Sequence, residues 1–569
     1  MPKVFVHPAS SALSRALIPK LLTRTPNAND DGEDDDDEQA EKTEQKQQQE
    51  TYHVVVAEAE KKRAKDEAHL PGSASRPLPG EGVETVALGD KEALRKALLA
   101  CDALLLDVSR MGQAEEVERA VALAQMLHEA ADEFVTPKTV VLVSTVMTWA
   151  KTKPVEDASE DAALLEDEYR RRRPHRNFKA HADAEKLVVK LGKKSNGKLQ
   201  TYVVAAGLTY GAGEGVLHGL FRAAWSLARP ALPVFGGAEK VLPMIHLHDL
   251  ADVVLCTMEN NAETPYVLGV DESTTLLGEL TAAISQKLGP GGTKAAAEED
   301  MHLMEDMSQL DCDMLTLNLR LEGGAALEFP FEWQCREGPI EAMPQLIREF
   351  RTTRRLAPVR IALYGPPGVG KTTFARRLCQ HYKLHHVERS RVIQETMKRL
   401  RASAAVLDNP AEDADLEQAE TDKATLETVE AYQADNDGKY EEVQILKWFR
   451  EMLASKSCRN QGYVLDGYPD TEEMAKELFQ PLEEEPDEEL EPDQPDPRLM
   501  PEYVLALEAP DAFLKERIMA LPEAEVAGTG NAELAFVQRL QQYRSTHTDD
   551  ATVLNFYDFH EVHPVTLGV

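Results

Sequence analysis

The segment GPPGVGKT, Gly365 to Thr372, combines glycines, a lysine and a hydroxyl at a spacing that suits a polyphosphate. It fits G-x-x-x-x-G-K-[ST], follows the apolar run VRIALY and opens the helical pattern TTFARRLCQHY. A loop in this setting directs backbone N–H groups at phosphates, and the helix N-terminus adds positive potential. The residues predicted to bind the phosphates are Gly365, Pro366, Pro367, Gly368, Val369, Gly370, Lys371, Thr372 and Thr373.

The motif also assigns chemistry to single positions. Lys371 is expected to contact the β- and γ-phosphates, and the Thr372 hydroxyl is expected to face Mg²⁺. ATP with Mg²⁺ is therefore the expected ligand. The motif alone leaves open whether the phosphate is transferred, used as a switch or simply held.

A second segment, GYVLDGYPDT (Gly462–Thr471), resembles the adenylate kinase signature GFVLDGFPRT. PEYVLALEAPDAFLKERI and AFVQRLQQYR resemble the strand and helices that follow in that family, and TVLNFYD (Thr552–Asp558) is predicted to be the final strand. The resemblance covers almost all of residues 358–569. It implies a nucleoside monophosphate kinase that transfers the γ-phosphoryl group of ATP to AMP or a related monophosphate.

The resemblance implies roles for residues outside the loop. Asp466 ends the strand YVLD, and it is implied to organise Mg²⁺ through water molecules together with Thr372. Arg517 matches the arginine that packs on the ATP base, and Arg539 matches the arginine that stabilises the transferring phosphoryl group. The implied catalytic residues are Lys371, Asp466 and Arg539.

The acceptor side departs from the family pattern. The signature normally continues with an arginine, and a glutamine follows four residues later, but these positions are Asp470 and Met474 here. A carboxylate repels a phosphate where an arginine would pair with it bidentately. The threonine and arginine that bind AMP in the family fall on Arg389 and Gln394 in the segment HVERSRVIQ.

Positive charge for the acceptor must therefore come from other positions. Arg389 and the nearby Arg391 are the candidates for acceptor binding, together with Gly467. The lid, about residues 519–533, is short and contains no arginine. Because phosphoryl transfer depends on charge neutralisation, the activity is expected to be weaker than in a compact adenylate kinase, altered in its acceptor, or lost.

Two α/β units are expected to position these groups. The chain has 569 residues, too many for one core, and strand-like and helix-like segments alternate along both halves. The pattern predicts a Rossmann-like doubly wound domain at 1–350 and a P-loop nucleoside monophosphate kinase domain at 356–569. Within them, loops are expected at about 28–50, 289–300 and 481–497, and the acceptor-binding region at about 389–455.

The formal net charge of −36 is concentrated in acidic segments. Residues 30–50 and 481–497 each carry a net charge of −9, and both are expected to be solvated, disordered loops, with docking of a basic partner as the alternative. A further acidic stretch, Ala404–Asp437, is also expected to protrude as a loop. A chain this negative is not expected to bind nucleic acid through its general surface.

Three segments of the N-terminal half, VVLVSTVMTW, GLTYGAGEG and PVFGGAEKVLPMIHLHDLADVV, resemble the extended short-chain dehydrogenase/epimerase superfamily. A dinucleotide-binding turn needs glycines, but the first turn, HPASSALS, has none. With Glu185 as the anchor, the catalytic tyrosine and lysine positions fall on Asn177 and His181, and only Ser144 keeps its hydroxyl. The domain is expected to be degenerate, with no NAD(P) and no hydride transfer.

The segment HLHD, His246–Asp249, is compatible with a metal site because alternate residues of a strand point the same way. The superfamily carries a similar segment as an ordinary loop, and that interpretation is favoured.

Cysteine spacing and hydropathy indicate the compartment. No two of the six cysteines form a CxxC pair, which is typical of free thiols in a reducing environment. No apolar run reaches about 18 residues, and the N-terminus lacks the pattern of a secretory signal. A cytoplasmic protein without a membrane partner is expected.

The pairing of the two halves resembles a long group of adenylate kinases associated with motile cilia and flagella. It implies a role in the ATP, ADP and AMP balance of the axoneme, with axonemal protein partners. The alternative is a catalytically weak or inactive structural subunit of an axonemal assembly, since both halves depart from active-enzyme patterns.

Overall fold

The computed structural model describes residues 2–24, 51–58, 83–154, 162–212, 215–259, 262, 264–407, 416–481, 494–522, 526, 531–548 and 552–569. The chain divides into two compact units, Met1–Arg355 and Leu356–Val569, and each is described by itself. Within the described residues, no helix has the length and apolar character needed to cross a membrane.

The N-terminal unit alternates strands and helices. Its strands are β1 (Lys3–His7), β2 (His53–Glu58), β3 (Val83–Ala87), β4 (Ala103–Asp107), β5 (Lys138–Thr145), β6 (Leu164–Leu165), β7 (Leu199–Ala206), β8 (Leu208–Tyr210), β9 (Leu232–Phe235), β10 (Val241–Leu242), β11 (Met244–His246), β12 (Tyr266–Gly269), β13 (Thr275–Leu276), β14 (Thr293–Ala296) and β15 (Leu321–Glu322). Its helices are α1 (Ala12–Thr23), α2 (Lys91–Ala100), α3 (Ala114–Glu129), α4 (Lys179–Lys194), α5 (His218–Ser226), α6 (Leu247–Glu259), α7 (Leu277–Lys287), α8 (Gln309–Leu315) and α9 (Met343–Arg354).

A seven-stranded sheet of order β12-β7-β5-β4-β1-β2-β3 forms the centre of this unit, and its strand pairs are all parallel. Central strands such as β5 and β7 are buried along nearly their whole length, because helices cover both faces of the sheet. α1 packs against α6, and α3 packs against α4. The Rossmann-like doubly wound prediction is confirmed.

The prediction of a loop over residues 289–300 is wrong. Residues Thr293–Ala296 form β14, which pairs in parallel with β9, and a 3₁₀ turn follows at Glu298–Leu303. The sequence TKAA gives no apolar strand signal. Its first three residues are exposed at the edge of a two-stranded ribbon and need no apolar side chains.

The C-terminal unit is a second α/β layer structure. Its strands are β16 (Val359–Tyr364), β17 (His385–Val387), β18 (Gly462–Asp466), β19 (Tyr503–Glu508) and β20 (Val565–Gly568). Its helices are α10 (Lys371–Tyr382), α11 (Arg389–Val406), α12 (Leu416–Asp435), α13 (Glu442–Ala454), α14 (Lys456–Gln461), α15 (Glu472–Leu478), α16 (Asp511–Met519), α17 (Glu533–Thr546) and α18 (Leu554–Phe559). All strands pair in parallel in the order β17-β18-β16-β19-β20, and the P-loop kinase fold prediction is confirmed.

Two predictions for this unit are wrong. Most of the described part of Ala404–Asp437 is the helix α12, not a loop. The segment Thr552–Asp558 is not the final strand: it contains most of α18, which buries Phe556 and Tyr557, and the buried Val553 lies directly before this helix. These three side chains are spaced i, i+3, i+4, which places them on one face of a helix. The final strand is β20, whose residues are mostly exposed.

The other loop predictions fall largely outside the described residues. Residues 25–50 and 482–493 are among those not described, as is part of the lid at 519–533. The end of the second acidic segment is described, and there Asp496 is fully buried. Its N–H donates to the carbonyl oxygen of Phe479 over 2.7 Å, and its carboxylate pairs with Arg498.

Candidate active site

The loop between β16 and α10 has the backbone shape that the glycine motif requires. Gly365 and Gly370 both adopt positive φ, 142° and 103°, a region that favours glycine. A Cβ on Gly365 would lie 2.4 Å from the carbonyl oxygen of Leu507, so no other residue fits there. Lys371 and Thr372 then begin α10, with the exposed Thr373 next to them.

The Lys371 side chain lies folded along this loop. Its Nζ donates to the carbonyl oxygens of Gly365, at 2.6 Å, and Pro366, at 3.3 Å. Burial lowers the pKa of Lys371, with a smaller contribution from the charge of Arg539, while Asp466 and Asp470 act in the opposite direction. The lysine is thus held at the centre of the loop, between two carboxylates.

Asp466 ends β18, directly beside the start of α10. The Thr372 hydroxyl donates to its carboxylate, and Nε2 of His386 lies 3.1 Å from its Oδ2. Burial by itself raises the pKa of Asp466, but the hydrogen bonds from His386 and Thr372 and the charge of Lys371 outweigh burial, and the pKa is lowered. A hydroxyl and an ionised carboxylate side by side are hard oxygen donors that suit Mg²⁺.

His386 and Glu388 were missed by the sequence analysis. His386 lies in the short edge strand β17, and Nδ1 of its ring is 4.0 Å from Glu388. His386, Glu388 and Asp466 each offer a ligand atom within 4.8 Å of the others. The available signal was the position of His386 in HVERSRVIQ, the segment that carries the acceptor candidates.

Two arginines lie against the loop from the helices that follow. Arg517 on α16 donates to the carbonyl oxygen of Val369 over 3.1 Å, and its guanidinium would be 3.2 Å from a Cβ on Gly370. Arg539 on α17 donates to Asn531 and is close enough to Lys371 to affect its pKa. The structure therefore brings these two arginines to the same loop as Lys371.

The three residues predicted to bind the acceptor have different partners in the structure. Arg389, at the start of α11, forms a bidentate pair with Glu442 of α13, with N–O distances of 3.1 and 2.6 Å. Arg391 instead pairs with Glu395 on its own helix, at 2.7 Å. Gly467 has φ of 67°, and its missing Cβ would lie 3.1 Å from Cε of Lys371. Gly467 thus lets the lysine side chain pass close to the backbone.

Asp470 is at the surface, within electrostatic reach of these groups. Partial enclosure by the protein raises the pKa of its carboxyl, as does the charge of Glu442, and the charges of His547, Arg389 and Lys371 oppose this shift. Asp470 is therefore within electrostatic reach of both the loop lysine and Arg389. His547, which stacks on Tyr543 with ring centroids 4.1 Å apart, was missed because nothing in its sequence context marks it.

In the N-terminal unit, the residues at the positions of the dehydrogenase/epimerase catalytic groups form bonds with other residues of the fold. Ser144 donates to Glu185 over 2.5 Å, and Arg172 pairs with the same carboxylate at 2.6 Å. Asn177 donates to Asp313, and Nε2 of His181 lies 3.0 Å from the carbonyl oxygen of Val108. The Asn177 amide and Nε2 of the His181 ring are thus engaged within the fold.

The N-terminus of α1, where a Rossmann fold would bind pyrophosphate, is capped by its own serines. The Ser14 N–H donates to Oγ of Ser11 over 3.0 Å, and the Ser14 hydroxyl donates to the carbonyl oxygen of Pro8 over 2.7 Å. The serine cap thus satisfies one of the N–H groups that an anion at this helix N-terminus would use.

Comparison with known proteins gives similarity over both units. The family model described as an AAA domain matches residues 364–520. Adenylate kinase 7 of Mus musculus is 38% identical over 480 residues, which are 83% of this chain and 78% of that protein. Adenylate kinase 7 of Macaca fascicularis is 39% identical over 396 residues, 68% of this chain and 74% of that protein.

Other relatives and solved structures match a smaller share of the chain. An adenylate kinase of Bartonella henselae is 25% identical over 191 residues, 33% of this chain and 81% of that protein. Among solved structures, a human epimerase family protein with NADPH has a TM-score of 0.39 at 16% identity and covers 61% of this chain and 99% of its own. A UDP-glucose 4-epimerase of Thermotoga maritima has a TM-score of 0.41 at 13% identity, covering 62% and 99%.

Proposed function

The chain belongs to the adenylate kinase 7 family, and from this premise we propose that it transfers the γ-phosphoryl group of ATP to AMP or a related nucleoside monophosphate. The observation that carries the proposal is the Asp466 carboxylate, which is bonded to the Thr372 hydroxyl and lies within electrostatic reach of the loop lysine, Lys371. Membership of the adenylate kinase 7 family favours a phosphotransferase over a nucleotide-holding switch.

In the proposed reaction, the N–H groups of the loop from Gly365 to Gly370 cradle the phosphates of ATP. Lys371 leaves the loop carbonyls to contact the β- and γ-phosphates. Thr372 and Asp466 would hold Mg²⁺ through its waters, and the ion supplies charge neutralisation on the transferring group. Nothing covalent is required of the protein, because positioning and electrostatic stabilisation carry this chemistry.

The arginines complete the proposed site. Arg517 is proposed to pack on the ATP base, and Arg539 to stabilise the charge that develops on the transferring phosphoryl group. Arg389 is proposed to bind the acceptor phosphate, which is supported by its charge acting, like that of Lys371, on Asp470. Arg391 has weaker support, because it pairs with Glu395 on its own helix.

Phosphoryl transfer is tested by following ADP formation from ATP with AMP, CMP and UMP, each in turn, on the full chain. Lys371→Ala is the inactive variant, and Lys398→Ala, an exposed lysine on α11, is the matched control. Turnover that requires a monophosphate and is lost only in Lys371→Ala supports the kinase. ATP binding without turnover on any acceptor would favour the structural alternative, which Asp470 in the acceptor region and the glycine-free first turn of the N-terminal half support.

For the N-terminal unit, we propose a fold that has lost dinucleotide chemistry. The serine-capped α1 and the internal bonds of Asn177 and His181 support this assignment. Fluorescence titration with NADH and NADPH tests it, and saturable binding of either dinucleotide would contradict it.

We also propose, from the resemblance to the long cilium-associated adenylate kinases, that the protein acts in the cytoplasm of motile cilia or flagella. There it would balance adenine nucleotides next to axonemal protein partners. The net charge of −36 supports protein partners over nucleic acid. Localising a tagged chain in a ciliated cell, before and after detergent extraction of the axoneme, tests this proposal.

A further inference from the structure

Three side chains of metal-ligating type meet in the interior of the N-terminal unit, away from the kinase site. They are His246 at the end of β11, Asp249 in the first turn of α6, and Cys335 in the segment before α9. One ligand atom of each lies within 4.8 Å of the other two. The exposed fractions of the three residues are 0%, 0% and 3%.

The His246 ring is already oriented as a ligand would be. Its Nε2 lies 3.1 Å from Oε2 of Glu349, and Glu349 is held in turn by the Ala212 N–H at 2.7 Å and by Gln345 at 2.8 Å. A carboxylate on one ring nitrogen is the usual support of a metal-bound histidine, because it fixes the ring and its tautomer. With Nε2 engaged, a ligand would bind Nδ1, which now accepts a long hydrogen bond, 3.4 Å, from the His248 N–H.

Glycine at position 211 makes this contact possible. A Cβ there would lie 2.1 Å from Nε2 of His246 and 3.1 Å from Oε2 of Glu349, and Gly211 has φ of 86°. Any side chain would therefore separate the imidazole from its carboxylate.

The charge of the group is unbalanced. Asp249, Asp271 and Cys335 are buried acidic residues, and the base His246 is bonded to a further acid, Glu349. A bound cation would offset the cost of burying these acidic groups.

We propose that His246, Asp249 and Cys335 bind a zinc ion. Imidazole, carboxylate and thiolate are the ligands that zinc takes in proteins, and a thiolate disfavours Mg²⁺ and Ca²⁺. Binding releases the Cys335 thiol proton to solvent, and the thiolate forms the bond to the metal. A tetrahedral zinc site holds its ligand atoms about 3.3–3.8 Å apart, so side-chain movement of about 1 Å closes the site.

Asp249 can join the site without losing its present bonds. Its two oxygens accept the N–H groups of Gln334, at 2.8 Å, and Cys335, at 3.0 Å. A carboxylate has about four lone-pair positions, so a metal bond adds to these contacts. The ion would join the segment around Cys335 to β11 and α6, which are more than 70 residues away in the chain. Its proposed role is structural.

The test is zinc stoichiometry on the nucleotide-free full chain, dialysed after incubation with zinc chloride and measured by mass spectrometry of the metal. About one equivalent is expected in the wild type, and a loss of at least about tenfold is expected in Cys335→Ser and His246→Gln. Cys101→Ser is the matched control, because Cys101 is as buried as Cys335 but lies outside the group. It should retain the ion.

A second measurement keeps the proposal testable if these variants fold poorly. Cobalt(II) loaded into the wild-type chain should show a thiolate-to-cobalt charge-transfer band, and zinc should displace it. Absence of stoichiometric zinc, or of this band, overturns the proposal. Zinc retained by a folded Cys335→Ser also overturns it, since the ion is then held elsewhere, for instance by His386, Glu388 and Asp466.

Discussion

Nε2 of His386 lies 3.1 Å from Oδ2 of Asp466, so the carboxylate beside the phosphate loop is held by an imidazole from the neighbouring strand. Both side chains are nearly buried, with 8% and 2% of their side-chain surface exposed. The Thr372 hydroxyl also donates to this carboxylate. The orientation of the Asp466 carboxylate is therefore fixed by hydrogen bonds with two residues, His386 and Thr372.

Replacing His386 by alanine should lower kcat for ADP formation about tenfold, the usual cost of removing a group that orients a metal-organising ligand. The loss should appear in kcat and in the Mg²⁺ dependence, with little change in KM for the acceptor. His381→Ala, an exposed histidine on α10, serves as the control. An unchanged kcat in His386→Ala would show that Asp466 needs no such support.

Asp470→Arg should tighten acceptor binding. The carboxylate lies within electrostatic reach of Lys371 and Arg389, where it repels an incoming phosphate. Reversing one charge near a partly enclosed phosphate changes the binding free energy by about 1–2 kcal/mol, so KM for AMP should fall about tenfold. Steady-state kinetics measures this, with Glu427→Arg on the exposed side of α12 as the control. A higher KM would mean that Asp470 contacts the acceptor favourably.

Glu442→Gln should also lower KM for the acceptor, by a factor of about three. Glu442 holds Arg389 in a bidentate pair, which the acceptor phosphate must displace. The factor is modest because both side chains are partly exposed and such pairs contribute little. Arg389→Ala should raise KM, and adding Glu442→Gln to it should change nothing more. Additive effects of the two substitutions on KM would show that Glu442 does not act through Arg389.

Glu185→Leu should destabilise the N-terminal unit by about 3–5 kcal/mol, because it leaves the Arg172 guanidinium buried without its carboxylate. The side chains of the pair are 6% and 0% exposed. The double variant Arg172→Met with Glu185→Leu should recover most of this loss. Scanning calorimetry of the full chain measures both. A double variant less stable than the single one would mean that the pair is needed for other contacts.

His7 should make the N-terminal unit less stable as the pH falls. It is buried, and burial lowers its pKa from 6.5 to about 4. Between these values the unfolded chain binds a proton that the folded unit excludes, so stability falls from pH 6.5 to 4 by about 3 kcal/mol. His7→Leu should remove this component, whereas the exposed His302→Leu should keep it. Denaturant midpoints at pH 7.5 and 4.5 measure the difference. An equal drop in wild type and His7→Leu would contradict the assignment.

The parts of the site that lie close together in sequence were predictable. Gly365, Gly370 and Lys371 belong to one contiguous turn, whose positive φ angles and close backbone approach admit almost only glycine. The apolar runs of β5, β7 and β18 likewise predict buried parallel strands, because burial on both faces demands continuous apolar sequence. Both fold classes follow from these local requirements.

The secondary-structure predictions were wrong where the sequence pattern is weak or fits both a strand and a helix. β14 is an exposed edge strand with no apolar signal, and the segment around Phe556 has a spacing that suits a strand or a helix. In the second case packing decides, because Val553, Phe556 and Tyr557 enter the core only on a helical face.

By itself, the sequence determined the two α/β units and the phosphate loop, since contiguous residues carry those requirements. Only the tertiary structure decided that His386 supports Asp466, that Arg389 pairs with Glu442 while Arg391 pairs on its own helix, and that Cys335 lies beside His246 and Asp249. Apart from the pair on one helix, these contacts join segments that are far apart in the chain. Their formation depends on how strands and helices pack, and no local pattern encodes that packing.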